Sequence, residues 1–201
     1  MTNPPTQTTF DAATYLTWED EQPTKNEYVR GEAFAMLGAG REHVVVAGNL
    51  YTALKQRLRG GPCQAYISDL KLRVAAADAF FYPDVMVSCD GRDHAASRFI
   101  EHPILITEVL SESTAAFDRG AKLAAYRTLA SLQEYVLVDI PPRRVEIFRR
   151  APENEWLFHE YLPGDGHCSF QSLDTWVPFE ELFENLAPDA PIGCEKSTDD
   201  T

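Results

Sequence analysis

Residues 104–139 read ILITEVLSESTAAFDRGAKLAAYRTLASLQEYVLVD, and this stretch decides the fold. The apolar, β-branched run from Ile104 to Leu110 predicts a strand. Ser113 and Thr114 then offer an N-cap for a helix from about Ala115 to Leu129, and Glu134 to Asp139 predicts a second strand, ended by Pro141 and Pro142. Working outward, Ala47, Leu50, Leu54 and Leu58 recur at helical spacing within Glu42–Arg59, a helix stopped by Gly60-Gly61-Pro62, with His43 on its apolar face. Strands are predicted at Gln64–Val74, Phe81–Ser88, Val145–Arg149, Trp156–Tyr161 and His167–Gln171, with a helical turn at Pro178–Phe183. At the N-terminal end a short helix (Tyr15–Asp20) precedes a hairpin (Glu27–Met36) that turns at Gly31. This order predicts an α/β (α+β) domain in which helices pack on a mixed central sheet.

The chain has 201 residues, 44% of them hydrophobic and 24% charged, which suits one globular domain and excludes collagen-like, coiled-coil and mainly disordered chains. That domain is expected at 14–186, between a Pro- and Thr-rich tail at 1–13 and an acidic tail at 187–201. No apolar run is long enough to span a bilayer, and the first residues lack the basic and apolar regions of a secretory signal, so no membrane association and a cytoplasmic location are expected. Cys63, Cys89, Cys168 and Cys194 have no metal-finger spacing and are expected as free thiols; Trp18, Trp156 and Trp176 are expected to pack inside. The net charge of −13 argues against a simple polyanion-binding surface. The two ends carry −4 and −5 of it, however, and Arg143, Arg144, Arg149 and Arg150 lie close together in the chain.

Two carboxylates interrupt apolar strands: Asp84 in FFYPDVMVS and Glu108 in ILITEVLS. Burying a charge alone is costly, so the pair either shares a divalent cation, which offsets desolvation and mutual repulsion, or is satisfied by backbone hydrogen bonds and arginine. Asp118, Lys122 and Tyr126 follow at i, i+4 spacing. Their helix would return over the end of the Glu108 strand, placing an ammonium near the metal; the alternative is a surface Asp118–Lys122 pair. Asp69 is read as a neighbour of the site or as a partner of Arg73, and His94 and His102 as parts of a polar loop, GRDHAASRFIEHP.

The segments NEYVRGEAFAM, YPDVMVSC, VEIFRR and the run from Glu108 to Asp139 together resemble the Uma-two family of restriction endonuclease-like proteins, over about residues 14–186. That family is placed among the PD-(D/E)xK nucleases, whose fold is a mixed central sheet flanked by helices. The resemblance maps Pro83-Asp84 onto the PD element and Glu108 onto the acid of (D/E)xK. The superfamily lysine would stand at position 110, which is Leu110 here, so Lys122 in the next helix becomes the candidate. The resemblance implies Mg²⁺, with Mn²⁺ able to substitute, held by Asp84, Glu108 and the Val109 carbonyl, and DNA phosphodiester hydrolysis with Asp84, Glu108 and Lys122 as catalytic residues. Glu32, His43 and Asp118 take supporting roles: Glu32 as a third carboxylate, His43 in proton transfer or as a helix cap. A homodimer is expected from two-strand cleavage. The competing reading is a catalytically inactive binding or regulatory module on the same fold.

Overall fold

The structure, a computed structural model, describes residues 10–186; residues 1–9 and the acidic segment 187–201 lie outside the described residues. Asp11 caps α1 (Ala12–Glu19) by accepting the Thr14 N–H at 2.8 Å. The hairpin of β1 (Asn26–Val29) and β2 (Glu32–Ala35) turns through Arg30 and Gly31, both at positive φ (48° and 92°), as a tight two-residue hairpin requires. In α2 (Arg41–Arg57) Ala47, Leu50 and Leu54 of the predicted stripe are buried, and Leu58 stands half-buried at the C-cap.

The expected strands 64–74 and 81–88 are each broken in two: β3 (Gln64–Ile67) and β4 (Lys71–Val74), then β5 (Ala79–Phe81) and β6 (Val85–Ser88). Ser68 and Asp69 both adopt positive φ (31° and 53°) and turn the chain, while Pro83, lacking an N–H, cannot continue the facing ladder. Across this corner Ser68 N–H donates to the Asp84 carbonyl at 3.1 Å, which sets Asp84 at the mouth of β6. The polar loop expected around His94 instead contains α3 (Gly91–Ala95) and β7 (Phe99–Ile100). Buried Asp93 organises it by accepting the Ser88 hydroxyl at 2.6 Å and the backbone N–H groups of Glu101 and His102 at 2.9 and 3.0 Å. After β8 (Leu105–Val109) the expected single helix is α4 (Ala115–Phe117), a π-helical turn (Asp118–Lys122) and α5 (Leu123–Tyr126). The chain closes with β9 (Glu134–Asp139), β10 (Arg144–Arg150), β11 (Trp156–Tyr161), β12 (His167–Phe170), β13 (Thr175–Pro178) and α6 (Phe179–Leu182).

The principal sheet has the order β11-β10-β9-β8-β6-β3; its one parallel pair is β8–β9, joined through the helical segment that carries Lys122. A second sheet, β2-β1-β5-β4-β7, and the pair β12-β13 complete a mixed α+β architecture flanked by few helices. One face of the principal sheet packs on α2, α6 and the β12-β13 pair through Leu50, Leu54, Val136, Phe170 and Phe179. The other face packs on the second sheet and α4–α5 through Leu72, Phe81, Ile106, Tyr126 and Tyr135. No helix among the described residues is long and apolar enough to cross a membrane.

Cys63 and Cys89 are not free thiols: they form a disulfide, with Cα atoms 4.0 Å apart, immediately beyond the Gln64↔Ser88 pair of β3 and β6. Two cysteines 26 residues apart give no sign of this until strand pairing sets them side by side. Cys168 is a buried free thiol, and Cys194 lies outside the described residues. Trp176, expected inside, is 55% exposed. Cross-linking a loop of this length constrains the unfolded chain by about 3.5 kcal/mol. Denaturant unfolding without reductant should therefore show the double variant Cys63→Ala, Cys89→Ala less stable by roughly that amount. Dithiothreitol should lower the native protein to the level of the variant and leave the variant unchanged.

Candidate active site

Strand β8 is buried on both faces, and alternation turns Glu108 toward the Ile106, Leu110 and Tyr126 side of the sheet. Its carboxylate meets the helical segment that follows: Oε1 accepts the Lys122 ammonium at 3.1 Å and the Tyr126 hydroxyl at 2.8 Å. Both bonds fall on Oε1, so neither uses Oε2. Lys122 reaches this position from a π-helical turn, a widened turn that often marks functional sites. Its Nζ also lies 3.1 Å from Glu27 Oε1 and 3.3 Å from Asp118 Oδ1. The Asp118–Lys122 pair is buried, not the surface pair that i, i+4 spacing also allowed.

Asp84 joins the site through the backbone. Its Oδ2 accepts the Val109 N–H at 2.8 Å and lies 3.2 Å from His43 Nε2. The PD corner is thereby tied to the residue that follows Glu108. His43, in the first turn of α2, borders a cleft of about 490 Å³ whose wall includes Leu110, Ser111, Arg119, Asp139 and Pro141.

The charges are unbalanced. Three carboxylates, Glu27, Glu108 and Asp118, surround one ammonium, and Asp84 adds a fourth acid nearby. Burial pushes the Glu108 carboxyl up to about 8, against the opposing pull of Lys122. Burial also disfavours the Lys122 ammonium, but Glu108, Glu27 and Asp118 outweigh it and hold the amine above its ordinary value. For His43, burial favours the neutral ring, yet the hydrogen bond and charge of Asp84 and the Val109 main chain raise it overall. Burial and the Glu108 charge keep the Tyr126 phenol protonated, so it acts as a donor.

Of the residues singled out from the sequence, Asp84, Glu108, Val109, Lys122, Asp118 and His43 converge here. The hairpin acid within ion-pair distance of Lys122 is Glu27, which the sequence did not single out and which also accepts the Tyr82 N–H at 3.4 Å. Glu32 shares the face of Glu27 but lies next to the turn, opposite Val29. The signal for Glu27 was its place inside a strand, flanked by residues that are also buried. Tyr126 was visible only as the third member of the i, i+4 row. Asp69 is exposed and pairs with Lys25, while Arg73 pairs with Glu101, so Asp69 lies outside the site. Within the arginine group, Arg144 contacts Asp139, Glu146 and Glu160, and Arg149 contacts Glu134, so these two are paired with acids.

The donor set fits a hard divalent cation. Asp84 and Glu108 are oxygen donors joined through Val109, each with one carboxylate oxygen outside the bonds named above, and the local excess of negative charge is what such an ion offsets. Asp118 Oδ1 is buried, and its contact is the ion pair with Lys122 Nζ at 3.3 Å, so it adds to the local negative charge. No group of three or more His, Cys, Asp or Glu side chains able to hold a metal is present among the described residues.

This mixed sheet with its flanking helices recurs in a solved structure. A structure described as "a putative nuclease belonging to DUF820" from Anabaena variabilis superposes with a TM-score of 0.66, covering 81% of this chain and 92% of that one at 16% identity. The profile of the Uma2 family, described as "Putative restriction endonuclease", matches residues 12–179, and the chain belongs to that family. Two Synechocystis proteins are similar along most of their length: slr1290 is 38% identical over 86% of this chain and 90% of its own, and sll1609 is 33% identical over 81% and 93%.

Two outcomes follow from the charge balance. The folded Glu108 value of about 8 lies above the ordinary 4.5, so the fold favours the protonated acid. Its contribution is complete below about pH 4.5 and is lost as pH rises toward 8; in EDTA, Glu108→Gln should flatten the fall of unfolding free energy across that window. Lys122→Met leaves buried carboxylates without their counterion and should cost about 3–5 kcal/mol in EDTA, measured by urea unfolding. Millimolar Mg²⁺ or Mn²⁺ should restore part of that loss.

Proposed function

We propose that this protein is a divalent-metal-dependent endonuclease that hydrolyses phosphodiester bonds in DNA. The observation that carries this reading is the meeting at Val109 of two acids from separate parts of the chain: Asp84 bonds the N–H of the residue directly after Glu108, and Lys122 bonds Glu108. The family description and the nuclease fold support the substrate class. Asp84, Glu108 and the Val109 carbonyl would hold Mg²⁺, or Mn²⁺ in its place. When bound, that ion supplies a Lewis acid that lowers the pKa of a water and neutralises charge on the phosphate.

The protein's own groups do the rest. Val109 N–H fixes the rotamer of Asp84, and the Tyr126 hydroxyl fixes that of Glu108, so the two carboxylates stay aligned without a penalty for reorganisation. The Lys122 ammonium sits 3.1 Å from Glu108 and would add positive charge beside a phosphate held at that acid. His43 holds a proton at Nε2 toward Asp84 on the cleft side of the site. The cleft wall mixes Arg119 with Asp139, and the chain carries −13, so attraction to a polyanion depends on the bound cation more than on protein charge.

The test is cleavage of supercoiled, linear and single-stranded DNA with Mg²⁺ or Mn²⁺ against EDTA. Metal-dependent nicking should fall at least about a hundredfold in Asp84→Ala, Glu108→Ala and Lys122→Ala. Activity that persists in Asp84→Ala and Glu108→Ala contradicts the assignment. Absence of cleavage on every substrate would favour a binding module built on the nuclease fold.

A further inference from the structure

The principal sheet ends on β11, and none of the described strands pairs with its outer side. Two hydrogen bonds fix which backbone groups face that edge. Ala151 N–H donates to the Glu155 carbonyl at 2.8 Å, and Arg150 N–H points the other way, to the Gln133 carbonyl at 2.8 Å. Alternation along the β10–β11 register then gives Leu157 and His159 to β10 and turns the N–H and C=O of Trp156, Phe158 and Glu160 outward. The edge thus presents three donors and three acceptors.

Exposed edges are normally guarded by Pro, Lys or a bulge, and β11 has none of these. It carries Leu157 and Phe158 instead, 58% and 56% exposed, one on each face. The rings of Tyr126, Tyr135, Phe148 and Phe158 form a row with centroid separations of 5.3, 6.4 and 5.4 Å. This row starts at the phenol that bonds Glu108 and ends at the open edge.

We propose that β11 is the interface to a second copy of this chain, paired antiparallel about a two-fold axis at Phe158. Three arguments select a second copy. A two-fold axis normal to the sheet keeps each face on its own side, so only registers that pair residues of like parity are allowed. Among these, centring on Phe158 joins Trp156 to Glu160 of the partner subunit and Phe158 to the partner's Phe158, satisfying all six outward groups. Centring on His159 leaves the groups of Trp156 without a partner inside the strand and opposes two histidines. The Phe158 register opposes no like charges, and it continues the ring row into the partner's site.

The test is the mass of the full-length protein in solution by sedimentation velocity. At roughly 100 µM the species should have twice the 22.6 kDa chain mass, and Phe158→Lys should return it to the chain mass with an unchanged circular dichroism spectrum. In a Cys194→Ser background, Phe158→Cys should form an oxidant-dependent covalent dimer, because paired strands bring opposed Cα atoms to roughly 5 Å. A monomeric native protein overturns the proposal. So does a dimer that survives Phe158→Lys while Phe158→Cys fails to cross-link.

Discussion

The buried ammonium of Lys122 is the constraint on which the rest of this structure depends. An amine removed from water is tolerated only with close counter-charge, and here that comes from three elements far apart in the chain: Glu27 on β1, Glu108 on β8 and Asp118 on the π-helical turn. The N-terminal hairpin, the principal sheet and the helical crossover are therefore joined at one nitrogen. The hairpin is more than a pair of strands in the second sheet, because it contributes one of the three carboxylates.

That solution overshoots. Three acids hold one base, and Asp84 stands beside them on the Val109 N–H, so the interior keeps a net demand for positive charge that Lys122 does not meet. Burial raises Glu108 because a proton is one way to answer the demand. A divalent cation is another, and it leaves the carboxylates ionised. On the proposed reading, the same imbalance that costs the fold stability prepares the site for a metal, and stability and activity are coupled in that sense.

Much of this was legible in the sequence where one rule acted alone. The helical stripe of α2, the strands β8, β9 and β11, and the Gly31 turn follow from periodicity and turn chemistry, and the structure keeps them within a few residues. Asp84, Glu108 and Lys122 stood out because charge sat inside apolar runs or at return spacing along a helix. What stayed hidden depended on partners distant in the chain. The two long strands split because Ser68, Asp69 and Pro83 form a corner that only pairing reveals. The Cys63–Cys89 bond appears only once β3 lies beside β6. The part of Glu27 stays hidden because it shares a hairpin face with Glu32, and only the resting place of the helical segment carrying Lys122 puts Glu27 within ion-pair distance.

The most direct measurement is Mn²⁺ binding to the full chain, followed by electron paramagnetic resonance. One site per chain should be filled, and it should be lost in both Asp84→Asn and Glu108→Gln while circular dichroism shows each variant folded. Absence of binding, or binding that both variants retain, would contradict the claim that this acid cluster is a metal site.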